Sequence, residues 1–411
     1  MTAVIDRHEG DAKDFALVLN PLASREAPWT DAQDAILSDA AFARAQAAIA
    51  SWPGYAPSPL VALPALAASL GVALVLCKDE SGRFGLGSFK ALGGAYAVAR
   101  LLQKRVAREI GRPVSMDEIV AVAHPQAAAR VTVCCATDGN HGRSVAWGAR
   151  NFGARCVIFI HATVSEGRRA AIEAYGAEVR RCAGNYDDSV REAQATADAE
   201  GWFVVSDTSY PGYMDVPRDV MQGYEMMAAE AYEALGAPPS HVFIQTGVGG
   251  LAAAVAAQAV RRWGAARPML VLADPDRSAC WLESMAAGAP TAVEGDLDTL
   301  MAGLACGEVS ALAWEVLRDH GDAAMAVPDA AAVAAMNRLA RPAGDDPAIV
   351  AGESAVAGLA ALENALADPR AAQALGLGAD SRVLLFGTEG DTDPALYRDL
   401  VGLSADQVRA V

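Results

Sequence analysis

One lysine stands where an amine could form a Schiff base. Lys90 ends the run Lys78-Asp79-Glu80-Ser81-Gly82-Arg83-Phe84-Gly85-Leu86-Gly87-Ser88-Phe89-Lys90 and opens a helix-like stretch. A partly buried lysine titrates nearer neutrality and attacks a carbonyl. On this segment alone, a surface lysine at a helix start is an equally good reading. Gly247-Val248-Gly249-Gly250-Leu251 lies between a predicted strand and a predicted helix. Without Cβ atoms its backbone can close on an anion, and a helix N-terminus adds partial positive charge. Thr137-Asp138-Gly139-Asn140-His141-Gly142 is a second strand-to-helix loop. There Asp138 is an acid, a base or a helix cap. Asn140 has the groups to hydrogen-bond a phenolate or a carboxylate. His141 is a site residue or a satisfied, half-buried histidine. Thr388, after the last predicted strand, is placed to hydrogen-bond a ring nitrogen; the acidic cluster that follows it, Glu389 to Asp393, also fits a plain solvated turn.

A rival reading uses the same glycines. Gly247-x-Gly249-x-x-Ala252 fits a dinucleotide fingerprint with its third glycine replaced. Asp274 ends the next predicted strand, where a ribose-binding acid sits. That points to an NAD-binding oxidoreductase. It leaves Lys90 and the 137–142 loop without a role, and it comes late in the chain.

These loops need elements to hold them. From about residue 130, short β-rich runs alternate with helical stretches. The runs predict strands at 130–136, 155–160, 178–182, 202–206, 241–245, 268–273 and 382–386. Helices are predicted at 143–152, 165–175, 187–200 and 251–263, the first two closed by Gly153 and Gly176. This is the signature of βαβ units. The fold class is α/β, with two lobes built on doubly wound, mostly parallel sheets. One lobe is expected over 95–215, and the other over 1–94 and 216–411. Ligands bind such folds at the carboxyl ends of the strands, in the cleft. The first 60 residues read as a mostly helical lead-in.

Composition narrows the function. The 411 residues are 53% hydrophobic and 20% charged, enough for a large core. The net charge of −17 argues against nucleic acid or anionic membrane as partners. Any phosphate must therefore be held by local geometry. The charged N-terminus lacks an apolar signal region, and the apolar run 251–260 is too short to span a bilayer. A cytoplasmic protein is expected. The seven cysteines are scattered without a CxxC, which suits buried thiols, and a Cys280–Cys306 pairing stays open. The six histidines form no ligand cluster, so no metal is expected.

Taken together, the motifs resemble diaminopropionate ammonia-lyases, within fold type II of the pyridoxal-phosphate (PLP) enzymes. The resemblance runs from about Pro57 to Asp393. It is carried by Lys78-Asp79-Glu80, Phe89-Lys90, Leu92-Gly93-Gly94-Ala95-Tyr96, the 136–143 loop and Asn185-Tyr186-Asp187-Asp188. Further on it takes in Met221-Gln222-Gly223-Tyr224, Gly247-Val248-Gly249, the 301–308 segment, Gly352-Glu353-Ser354 and the 388–393 segment. It implies that Lys90 carries PLP as a Schiff base and that Phe89 packs beside the ring. Asn140 contacts the phenolic oxygen, Gly247 to Leu251 hold the phosphate, and Thr388 meets the pyridine nitrogen. Asp138 resembles the base for a D-substrate, and Lys90 the base for an L-substrate. Ser88, Asp138 and His141 fall on substrate-facing positions, and Asp187 or Asp188 binds the distal ammonium. A homodimer that releases pyruvate and two ammonia is implied. Asp274, Ala355 and Ser88 depart from the usual Glu, Gly and Ala. They keep a serine- or threonine-type dehydratase, or a lyase for another β-substituted amino acid, open as the alternative.

Overall fold

The computed structural model describes residues 4–5, 15–137, 139–184 and 186–410. The chain forms two compact units. One holds residues 1–36, 57–82 and 227–411; the other holds 37–56 and 83–226. The segments 37–56, 83–94 and 216–226, expected with the larger lobe, group with the second unit. The Asp39–Ala50 helix packs there against the Ala91–Ile110 helix.

The larger unit is built on an eight-stranded sheet. Its spatial order is Val4–Ile5, Ala16–Leu19, Ala323–Val327, Met269–Pro275, His241–Gln245, Arg382–Gly387, Leu74–Asp79 and Leu60–Ala62. The five strands from Ala323–Val327 to Leu74–Asp79 are parallel; the outer three pair antiparallel. His241–Gln245 is buried at every position, as a central parallel strand covered on both faces must be. Val75, Phe243, Val271, Met325 and Leu385 pack with the helices Asp329–Ala340 and Ala357–Ala367 into one core. Each such side chain contributes about 1.5–3 kcal/mol when fully buried. The expected helical lead-in is corrected here, because Ala16–Leu19 is a strand paired between Val4–Ile5 and Ala323–Val327. Four apolar residues are too few to show a period, so only pairing decides their conformation.

A buried ion pair ties this unit together. Lys78 Nζ lies 2.6 Å from Glu230 and 2.7 Å from Ser58 O, with side-chain exposures of 1% and 5% for the ionic partners. Removing Lys78 takes away a cation 2.6 Å from a buried carboxylate. Lys78→Met is therefore expected to cost about 3–5 kcal/mol, read as a lower urea midpoint at unchanged slope.

The smaller unit carries a parallel four-stranded sheet, ordered Glu178–Arg181, Arg155–Ile160, Thr132–Ala136, Phe203–Val204. The helices Ala91–Ile110 and Asn140–Phe152 pack closely in the same unit. A Cβ at Gly94 would collide with Ser144 Oγ, so glycine sets that approach. Ahead of Lys90, Phe84 holds a left-handed φ of 51°. Its ring is fixed between Trp52 and Trp147, at centroid distances of 5.8 and 5.0 Å. Among the described residues, no helix is long and apolar enough to cross a membrane.

Candidate active site

Lys90 caps the Ala91–Ile110 helix, just after the Phe84 turn. Its Nζ lies 2.6 Å from Asp207 Oδ2, and the two side chains are 19% and 24% exposed. The ammonium also sits 5.4 Å from the Phe89 ring and 5.7 Å from the Tyr224 ring, and these rings pack at 4.7 Å. Burial alone would push the Asp207 carboxyl up. The adjacent Lys90 ammonium outweighs it and holds Asp207 well below the usual carboxylate range. The carboxylate is thus kept charged by the amine beside it.

His141 lies in the first turn of the Asn140–Phe152 helix and is buried. Its Nε2 lies 2.8 Å from Val205 O. A carbonyl only accepts, so Nε2 carries the proton. Nδ1 then faces Asp207 Oδ2 at 3.8 Å. Burial, with Lys90 adding to it, holds the imidazole below its usual value, so it stays neutral near pH 7. Asn140 heads the same helix, half-buried, and Ser88 is buried at 2% exposure. Asp138 and the side chain of Asp187 lie outside the described residues. Asp188 pairs with Arg191 at 2.6 Å on the surface of the Tyr186–Glu200 helix. The carboxylate that meets Lys90 is Asp207, which the sequence reading passed over. Its one sequence signal was position: it follows the last strand of the small sheet.

In the larger unit, Gly249 caps the Gly250–Trp263 helix with φ 96°. A Cβ there would overlap the Trp281 ring, so glycine is required twice over. Trp281 Nε1 donates to Gly247 O at 3.0 Å and pins the loop from behind. The N–H groups of Gly250 and Leu251 belong to the helix's first turn and have no intrahelical acceptor. Cys280 and Cys306 form no disulfide and lie against this same loop; Cys280 Sγ donates to Gly247 O at 3.6 Å. Thr388 sits at the end of the Arg382–Gly387 strand, 3% exposed. Three distant segments are joined beside it. Gly303 N donates to Ser354 Oγ at 3.1 Å, and Ser354 N to Glu389 Oε1 at 3.1 Å.

Asp274 decides between the two readings of the glycine loop. It is fully buried, and accepts from the Thr246 hydroxyl, from Trp281 N at 2.9 Å and from Leu282 N at 3.1 Å. Burial pushes its carboxyl up to about 7, against the pull of those donors. It caps the Cys280–Ala287 helix from inside, and a ribose cannot reach it.

Comparison with known proteins agrees. The family described as pyridoxal-phosphate dependent enzyme matches residues 51–389. The chain is 40% identical over 356 residues to a diaminopropionate ammonia-lyase of Escherichia coli (strain K12), covering 85% of this chain and 88% of the relative.

The chain belongs to the pyridoxal-phosphate-dependent enzymes, with the diaminopropionate ammonia-lyases.

A Salmonella typhimurium member is 38% identical over 362 residues, covering 85% and 89% of the two chains. The holo crystal structure of the Escherichia coli lyase superposes with a TM-score of 0.85 at 35% identity, covering 97% and 98%. These matches place the fold in type II of the PLP enzymes and set aside the oxidoreductase. The residues present fit the cofactor. The larger unit offers a glycine loop at a helix start, which a Cβ at position 249 would obstruct, and a buried threonine hydroxyl. The smaller unit offers a half-shielded lysine beside an ionised carboxylate.

Proposed function

We propose that this protein converts 2,3-diaminopropionate, D or L, with one water, to pyruvate and two ammonia. The observation that carries the reading is the Lys90–Asp207 pair, supported by the identity to diaminopropionate ammonia-lyases. Bound PLP supplies the electron sink that makes a Cα proton acidic. By resemblance to the family, Lys90, Asn140, the Gly247–Leu251 loop and Thr388 would hold it.

Everything else falls to the chain's own side chains. Lys90 Nζ would take the Cα proton of the L-isomer, and Asp138 that of the D-isomer. Asp207, ionised beside Lys90, would take the substrate's distal ammonium. A β-nitrogen leaves only when protonated, because a neutral amine is a far better leaving group than an amide anion. Asp207 holds the nitrogen in that protonated state. His141, neutral and tied to Val205 O, holds the backbone two residues ahead of Asp207 and so orients the carboxylate. The enzyme is inferred to be a cytoplasmic homodimer.

The test is product release by the PLP-loaded protein from D- and L-diaminopropionate, beside D- and L-serine. Pyruvate and ammonia in a 1:2 ratio from diaminopropionate are expected. Turnover of serine alone would instead make the protein a dehydratase.

A further inference from the structure

Gln245 ends the central strand of the large sheet and is 3% exposed. Its Nε2 lies 2.6 Å from Thr388 Oγ1, 2.7 Å from Phe386 O and 3.2 Å from Ala355 O. Two of these three partners are carbonyls, which only accept. That face of the side chain is therefore the NH₂ face, and the amide's orientation is settled by its surroundings. An NH₂ group donates, so Thr388 Oγ1 must receive. A hydroxyl that receives from Gln245 keeps its own proton for another acceptor. Among the described residues, this is the one hydrogen bond the Thr388 hydroxyl makes.

The opposite end of the amide bears this out. Gln245 Oε1 is buried with no hydrogen-bond partner among the described residues. An unsatisfied buried carbonyl is a cost that an apolar side chain would not carry. What the glutamine adds is a fixed direction of donation toward Thr388.

We propose that Gln245 is a positioning residue that fixes Thr388 as a hydrogen-bond donor to the ring nitrogen of pyridoxal phosphate. The proposal rests on the PLP reading above. A donor hydroxyl meets a nitrogen with a free lone pair and repels a protonated one. Gln245 thereby sets the protonation state of the ring nitrogen without touching it. Ala355 enters the same device through its backbone carbonyl, which any residue at that position supplies.

The test is a double-mutant cycle with Gln245→Met and Thr388→Val, using pyridoxal phosphate itself as probe. Two quantities are read: the cofactor dissociation constant, and the pH titration of the bound cofactor's visible band. The wild type comes first. Absence of any cofactor band there overturns the functional reading, whatever Gln245 does. Given a wild-type band, each single variant is expected to weaken cofactor binding about tenfold, one ordinary hydrogen bond. The double variant is expected to weaken it by the same tenfold, because Gln245 acts through Thr388. Both singles should displace the band's titration in the same direction. A roughly hundredfold loss in the double variant would mean independent effects and overturn the proposal, as would an unmoved titration in Gln245→Met. Thermal melting of each apoprotein reports folding. Should Gln245→Met not fold, the near-isosteric Gln245→Glu takes its place in the same cycle. Its carboxylate accepts from Thr388, and it should displace the titration as Thr388→Val does.

Discussion

Lys90→Ala is expected to lower pyruvate release by a factor on the order of 10⁴–10⁶, the scale of losing a covalent nucleophile. The variant should also lose the visible absorbance band of the lysine-linked cofactor. The two losses share one cause, since no other described lysine in the smaller unit is placed comparably. Lys104, for example, is 45% exposed and pairs with Asp219. Only an amine held out of bulk water, but beside a charge that keeps it soluble there, combines reactivity with position. Borohydride reduction of the wild type followed by peptide mapping should find the cofactor on Lys90. Label on another lysine would remove Lys90 from the reaction altogether.

Asp207→Asn should give the next largest effect, and a selective one. In the proposed reaction the carboxylate holds a distal ammonium. A charge-assisted hydrogen bond contributes about 1.5–3 kcal/mol, so kcat/KM for diaminopropionate should fall about 10–150-fold. Serine has no distal ammonium and should lose much less. Equal losses for both would show that Asp207 serves Lys90 and not the substrate. The pH dependence has a definite sign. Because the folded-state pKa of Asp207 is depressed, its ionic contribution is complete above the ordinary carboxylate range. It fades only as pH falls through the depressed value. The melting difference between wild type and Asp207→Asn should therefore be the same at pH 5 and at pH 7.

Legibility differed by residue. The Gly247–Leu251 loop was readable because glycines between an apolar run and a helical run have few other uses. The structure supplies the reason for Gly249 in the Trp281 ring, 32 positions away and invisible to local pattern. Strands such as His241–Gln245 were readable from their continuous β-branched and aromatic character. Ala16–Leu19 was not, because its four residues become a strand only by pairing with Ala323–Val327. Asp274 shows a pattern misleading in the other direction. Its spacing from the glycine loop imitates a ribose-binding acid, and burial makes it a helix cap.

By itself the sequence determined the alternation of strands and helices and the glycine loops at strand ends. All of these depend on chain neighbours within about one element, where periodicity and backbone freedom act. Only the tertiary structure decided which carboxylate faces Lys90 and which donor faces Thr388. The first pair is separated by 117 residues and the second by 143. Charge and hydrogen bonding act over a few ångströms of space and are blind to distance along the chain. The sequence therefore offered Asp187 and Asp188 and passed over Asp207, which the packing of the small sheet brings to the amine.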